Sequence, residues 1–172
     1  MKSLLLLALA TTSTLFACGQ NEDKSKRPSP PATVKETLSN GTVISIDYSQ
    51  PSVKGRTIGK DLEPKDGQVW RTGANEATIF EVSKAVKVEG KDLPAGKYAL
   101  FTLSGDSEWT IIFNKTWNQW GAFDYKEADD ALRVKAKATK SSKFVEKMTF
   151  SIAKSGVVSL WWGDKEVSFK VQ

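Results

Sequence analysis

The sequence predicts an all-β fold: a single antiparallel β-sandwich of immunoglobulin-like or jelly-roll-like type, with about nine strands and at most one short helix. Apolar and polar residues alternate with a period of two in most segments after Val34, and turn residues separate these segments. Residues 34–172 also have the length that one all-β domain occupies. These observations together favour one domain built from strands.

The alternation assigns one face of each predicted strand to the core. Ile44, Ile46 and Tyr48 share a face, for example, as do Thr78, Phe80 and Val82. Two segments are apolar on both faces, which is typical of central strands in a sandwich. In chain order, the predicted strands are Thr42 to Tyr48, Ala77 to Val82, Val86 to Val88, Tyr98 to Leu103, Trp109 to Asn114, Leu132 to Ala138, Met148 to Ile152, Val157 to Trp162 and Val167 to Val171.

Pairs that contain glycine lie between the alternating runs and predict hairpin turns. They are Asn40-Gly41, Glu89-Gly90, Ser104-Gly105, Ser155-Gly156 and Gly163-Asp164.

Two further local patterns have structural meaning. Asp124 and Glu127 are spaced as a capping box and predict a short helical turn before the Leu132 strand. The segment Leu93 to Tyr98 (LPAGKY) predicts a tyrosine corner, in which the phenol bonds to upstream backbone.

The composition excludes several chemistries. The chain of 172 residues has no histidine and one cysteine, so a Ser-His-Asp relay, an imidazole metal site and an internal disulfide are excluded. We predict no cofactor, no metal site and no catalytic residue.

The first residues have the features of a secretory signal peptide. Lys2 precedes an apolar run from Leu4 to Ala10, which ends at a series of Thr and Ser residues. The run is shorter than the roughly 18–20 residues of a spanning helix. The sequence Leu15-Phe16-Ala17-Cys18 resembles the bacterial lipobox, which implies cleavage after residue 17 and acylation of Cys18. A plain signal peptide with an incidental cysteine is the alternative.

Residues 18–33 predict a disordered tether between the acylated cysteine and a domain that spans residues 34–172. Gly19 to Thr33 has no large apolar residue and contains three of the six prolines. We therefore expect an outer-membrane lipoprotein of the bacterial envelope, attached to the membrane through Cys18. Glu22 and Asp23 resemble the acidic signal for surface export, or are solvated linker charges. The mature chain carries a net charge of about +4, too small to indicate nucleic acid.

Two stretches concentrate the side chains suited to ligand recognition. The first, Trp70 to Thr78, combines indole, guanidinium, amide and carboxylate groups around Gly73. In the second, Trp109 to Tyr125, aromatic residues are interleaved with amides where the strand pattern fails. Arg56 completes the set. The candidate ligand-binding residues are Arg56, Trp70, Arg71, Asn75, Glu76, Trp117, Gln119 and Trp120.

Three functions fit these residues. The first is a binding module for a carbohydrate or peptide at one concave patch. The second is a structural or assembly subunit that docks an envelope protein. The third is a hydrolase that uses Glu76 and Asp124 as its carboxylate pair. Tryptophans in a small sandwich also commonly pack the core, and an arginine–glutamate pair is often an internal staple.

Several longer motifs carry a resemblance to a known family. They are the two stretches above together with Tyr48 to Arg56 (YSQPSVKGR), Leu93 to Phe101 (LPAGKYALF) and Trp109 to Asn114 (WTIIFN). From about residue 28 to the Phe150 strand, the chain resembles the domain of unknown function 2911. The resemblance implies one domain in an exported, often lipid-anchored protein of Bacteroidota, and it assigns no activity to any residue.

Overall fold

The computed structural model describes residues 23–172, and all nine strands in this part of the chain are antiparallel to their neighbours. A 3₁₀ turn, Lys24–Lys26, precedes them, and a second, Glu127–Asp129, lies before β8. The strands are β1 (Pro31–Thr37), β2 (Val43–Ser49), β3 (Thr78–Val82), β4 (Val86–Val88), β5 (Lys91–Leu93), β6 (Gly96–Leu103), β7 (Glu108–Asn114), β8 (Asp130–Ile152) and β9 (Val157–Lys170).

Seven strands form one curled sheet in the order β1-β2-β3-β6-β7-β8-β9, and β4 and β5 form a separate hairpin. The predicted all-β, nine-strand antiparallel fold is confirmed. The long strand β8 pairs with β7 over its first part and with β9 along most of its length. Its second half then meets the segment after β2, where Met148 N–H donates to Pro51 O at 3.0 Å and Val53 N–H donates to Glu146 O at 2.9 Å. The sheet therefore curls back on itself.

The concave side of this sheet encloses the main hydrophobic core. Ile44, Ile46 and Phe80 are completely buried there, and Phe113 packs edge-to-face on Phe80 with ring centroids 5.1 Å apart. The faces predicted for β2 and β3 are thus confirmed.

A second, smaller core lies on the opposite face of β6 and β7. Ala99, Phe101 and Ile112 form it, and Val69 and Tyr125 from two loops cover it. Because loops protect this face, β6 and β7 are apolar on both sides, as their sequences indicate. Those loops also carry the candidate site.

The predicted number of strands agrees with the structure, but their division does not. β1 and β5 were not predicted, because β1 is an edge strand with no fully buried residue and β5 has three residues. β8 covers two predicted strands, Leu132 to Ala138 and Met148 to Ile152, and β9 covers two others, from Val157 to Trp162 and from Val167 onward. The register of β8 against β9 shifts between Lys140 and Thr149, and this irregularity interrupts the alternation.

The predicted turn at Gly163-Asp164 is confirmed: Gly163 has φ +62°, and the two halves of β9 face each other about this pair, with Ser159 Oγ 2.8 Å from Ser168 Oγ and Val171 N–H donating to Gly156 O at 2.8 Å. One local prediction is corrected. Asp124 does not cap the turn before β8; Lys126 occupies that position without a side-chain cap. The tyrosine corner is confirmed: Tyr98 Oη donates to Pro94 O at 2.9 Å.

The last residues of the predicted tether take part in the fold. β1 begins at Pro31 and pairs with Ser49, and Asn75 Nδ2 donates to Ser29 O at 3.0 Å. Polar side chains and backbone, not apolar burial, hold this segment, so its composition gave no sign of order. The signal peptide, residues 1–17, and the acylation site Cys18 lie outside the described residues.

Candidate functional site

The two candidate stretches lie side by side. Glu76 pairs with Trp120 as in an antiparallel ladder. On either side of this pair, Ala77 N–H donates to Gln119 O at 3.0 Å, and Gly121 N–H donates to Asn75 O at 3.1 Å. The second core lies beneath both segments, so they are held as one unit on the outer face of β6 and β7.

Three aromatic side chains of the 117–123 loop face solvent. The exposed fractions are 39% for Trp117, 54% for Trp120 and 83% for Phe123. Two cations lie against the indoles: Lys97 Nζ is 5.5 Å from the Trp117 ring centroid, and Arg27 Cζ is 5.9 Å from that of Trp120. We call the surface formed by Trp117, Trp120 and Phe123 the aromatic surface.

Glu76 anchors the N-terminal segment beside this surface. Arg27 Nη1 lies 3.0 Å from both carboxylate oxygens, and Lys24 Nζ lies 2.9 Å from one of them. Burial raises the pKa of Glu76, but hydrogen bonds from Lys24, from its own backbone and from Arg27 outweigh that effect and hold the pKa at about 2. Glu76 is therefore ionised at neutral pH and already paired.

Asn75 and Gln119 also have structural partners. Asn75 adopts a left-handed conformation, with φ +58°, and binds Ser29. Gln119 is buried, and its Nε2 donates to Thr116 O within the same loop. Its Oε1 is buried without a hydrogen-bond partner among residues 23–172. Both amides shape the loops rather than extend into solvent.

A cavity of about 200 Å³ lies next to the 70–76 segment. Arg56, Arg71, Trp70, Trp162 and Glu63 are among the residues that line it. Of the predicted site residues, Arg56, Trp70 and Arg71 line this cavity. Trp117 and Trp120 belong to the aromatic surface, whereas Asn75, Glu76 and Gln119 belong to neither.

Arg71 connects the two parts of the site. Its side chain lines the cavity, and a Cβ atom added at Gly121 would come within 3.7 Å of Arg71 Nη1. Gly121 directly follows Trp120, so the guanidinium lies beside the loop that carries the aromatic surface.

Trp70 is mainly a core residue. It is 2% exposed, its Nε1 donates to Gly73 O at 3.0 Å, and its ring packs edge-to-face on Trp109. Trp70 was a candidate ligand-binding residue, but it pairs with Thr102 of β6 and its side chain enters the core. It also lines the cavity.

A polar network that was not predicted fixes the end of the 115–130 segment. Asp130 accepts hydrogen bonds from Asn114 Nδ2 at 2.8 Å and Arg133 Nε at 2.6 Å, and it pairs with the Tyr125 hydroxyl at 2.8 Å. Burial and the bond to Asp130 raise the pKa of Tyr125 to about 12. These bonds fix the loop where it joins β8.

Among residues 23–172, no group of three or more acidic or thiol side chains is placed to hold a metal ion. No helix in this part of the chain is long and apolar enough to cross a membrane.

Comparison with known proteins places the chain in a family. No curated protein and no solved structure matches it. The model of one family matches residues 29–171, which include every strand described here. The chain therefore belongs to the family of proteins of unknown function DUF2911.

Proposed function

We propose that the protein is a lipid-anchored envelope protein whose folded domain binds a carbohydrate or peptide. The ligand would contact the aromatic surface and the cavity beside Arg71. The signal peptide and Cys18 supply the anchor, since acyl chains contribute about 0.8 kcal/mol per buried methylene.

One observation carries the proposal: solvent-exposed indoles lie next to a cavity lined by two arginines, on loops that backbone hydrogen bonds hold together. Exposed indole faces suit sugar rings and flat peptide groups. Loops fixed on a rigid sheet are also the usual place for binding residues, because less conformational entropy is lost on association.

Titration of the full chain in detergent with glycan and peptide panels, followed by tryptophan fluorescence, tests the proposal. Trp120→Ala should weaken binding about tenfold, as expected for the loss of one aromatic contact. The control is Phe144→Ala, which removes an aromatic ring that is 60% exposed on β8, and it should bind as the wild type does. The proposal is contradicted if no member of the panels changes the tryptophan fluorescence, or if Trp120→Ala binds as tightly as the wild type.

Docking of another envelope protein is a second candidate, favoured by Phe123. A phenylalanine that is 83% exposed beside two exposed indoles forms an apolar patch of the kind that proteins bury against partners. Crosslinking in the native envelope should then recover one partner, and Phe123→Ser should lose it. Recovery of no consistent partner contradicts this function.

Hydrolysis by Glu76 and Asp124 has less support. A general acid must be protonated when it acts, whereas a carboxyl group with a pKa of about 2 is not. The paired state of Glu76 also leaves its oxygens engaged by Lys24 and Arg27.

A further inference from the structure

We infer that the cavity lined by Arg56 and Arg71 is a carboxylate-binding site, which receives the acidic end of the ligand. The inference rests on the proposed function, in which the remainder of the ligand contacts the aromatic surface. It adds that the ligand carries a carboxylate, which the aromatic surface alone does not specify.

The arginines of residues 23–172 fall into two groups. Arg27 pairs with Glu76, and Arg133 pairs with Asp130 and Glu127. Within the same part of the chain, neither Arg56 nor Arg71 has a carboxylate oxygen within 4.0 Å. The two arginines that lack a carboxylate partner are thus the two that line the cavity.

The hydrogen-bond donors of Arg71 are incompletely satisfied. Its Nε is buried, with no hydrogen-bond partner in the described chain. Burial lowers the pKa of Arg71, and the charge of Glu63 offsets only part of this effect. A guanidinium taken from water without compensation costs free energy, so an unpaired one in a cavity is suited to an incoming anion.

Arg56 is oriented by backbone. Its Nε donates to Val53 O at 3.1 Å and its Nη2 donates to Ser52 O at 2.7 Å, which leaves Nη1 for a ligand. A planar fork held in this way loses little further entropy when it binds a carboxylate.

The charge of the lining favours a monoanion. Two arginines and Glu63 leave one net positive charge, and Glu63 would repel a second negative charge on the ligand. Glu63 is itself fixed, because its Oε2 accepts from Lys65 N–H at 2.9 Å and its carbonyl accepts from Trp162 Nε1 at 2.8 Å. A carboxylate therefore fits better than a doubly charged phosphate.

The size of the cavity indicates that it holds only the end group of a ligand. Its volume of about 200 Å³ is below the roughly 300–1,000 Å³ of pockets that enclose a whole small molecule. The rest of the ligand would extend past Arg71 and Gly121 onto the aromatic surface.

Matched acidic and neutral probes test the inference with the full chain. One pair is oligogalacturonate and the neutral galactose oligomer of equal length; the other is an alanine peptide with a free or an amidated C-terminus. The acidic member of at least one pair should bind about tenfold or more tightly than its neutral partner, as expected for charge-assisted hydrogen bonds. Comparison of the two pairs shows whether the carboxylate belongs to a sugar or to a peptide.

Arg71→Met separates a binding role from a structural one. The variant should lose the preference for the acidic probe and should melt at the wild-type temperature or above, because it removes a partly buried guanidinium whose Nε has no hydrogen-bond partner in the described chain. Arg133→Met is the control: it should keep the preference and melt at a lower temperature, since it breaks ion pairs with Asp130 and Glu127.

Equal binding of acidic and neutral probes overturns the carboxylate site and leaves the proposed function standing. A preference that survives in Arg71→Met also overturns it. If no probe binds at all, both the site and the proposed function fall.

Discussion

Glu76 joins parts of the chain that are far apart in sequence. Its side chain holds Lys24 and Arg27 of the N-terminal segment, and its backbone pairs with Trp120. Arg27 in turn lies over the Trp120 ring. One carboxylate therefore positions both the incoming chain and an exposed indole of the candidate site.

Glu76→Gln should lower the free energy of unfolding by about 1 kcal/mol at neutral pH, a value reduced to allow for the 38% exposure of the side chain. The folded-state pKa lies below the ordinary value of 4.5, so the stabilisation is fully present above that pH. It is lost as the pH falls towards about 2. Chemical denaturation of both proteins across this range measures the difference.

The matched control is Glu81→Gln. Glu81 pairs with Lys97 at 3.6 Å, and both side chains are nearly half exposed, so its loss should change the stability by less than about 0.5 kcal/mol. Equal effects of the two substitutions would contradict the assigned role of Glu76.

At the scale of elements, the hairpin between β8 and β9 packs against the residue that follows β9. Its turn contains Gly156, which has φ +89°, and Gly156 O accepts from Val171 N–H at 2.8 Å. A Cβ atom added at Gly156 would come within 1.9 Å of Val171 O, which belongs to the backbone. The turn thus needs glycine for both its conformation and its close approach to Val171.

Gly156→Ala should destabilise the domain by about 3 kcal/mol or more, since the backbone must move to admit the methyl group. Gly90 offers a matched comparison, because it has φ +78° but nothing within 4 Å of an added Cβ atom. Gly90→Ala should cost only about 1 kcal/mol, the conformational part of the effect. Thermal denaturation checks both values; similar losses would show that the clash is relieved.

The sequence predicts elements where burial alternates strongly and misses them where it does not. β2 and β3 present one buried face each, and their residues were assigned correctly. β1 presents no fully buried residue, and its place in the fold depends on pairing with β2. Such pairing involves backbone groups, which every residue type shares, so composition cannot reveal it.

The candidate site was partly predictable for a related reason. The indoles and arginines could be recognised from the sequence, because these residue types occur in segments where the strand pattern fails. Arg27 and Lys97 could not be recognised in this way, because they approach Trp120 and Trp117 from distant segments and only the fold brings them there. The buried state of Trp70 was also hidden, since the sequence does not show that it pairs with Thr102.

At the scale of the whole molecule, the membrane anchor that we propose depends on one residue. Cys18→Ser should move the protein from the membrane fraction to the soluble fraction of cells that express it, because the acyl chains supply the binding energy. Fractionation with immunoblotting measures this shift. The fold should be unaffected, so the released protein should retain the wild-type melting temperature; continued membrane association of Cys18→Ser would contradict the anchor.

The contact of the N-terminal segment with Glu76 also bears on the membrane anchor that we propose. Asp23 follows Cys18 by five residues, a reach of at most about 18 Å in extended chain. The described chain enters the domain beside Trp120, so with the proposed anchor at Cys18 the candidate site would stay close to the lipid headgroups. The domain would therefore bind ligands within a thin layer above the bilayer. A longer segment between Cys18 and Asp23 would let it reach ligands farther from the membrane.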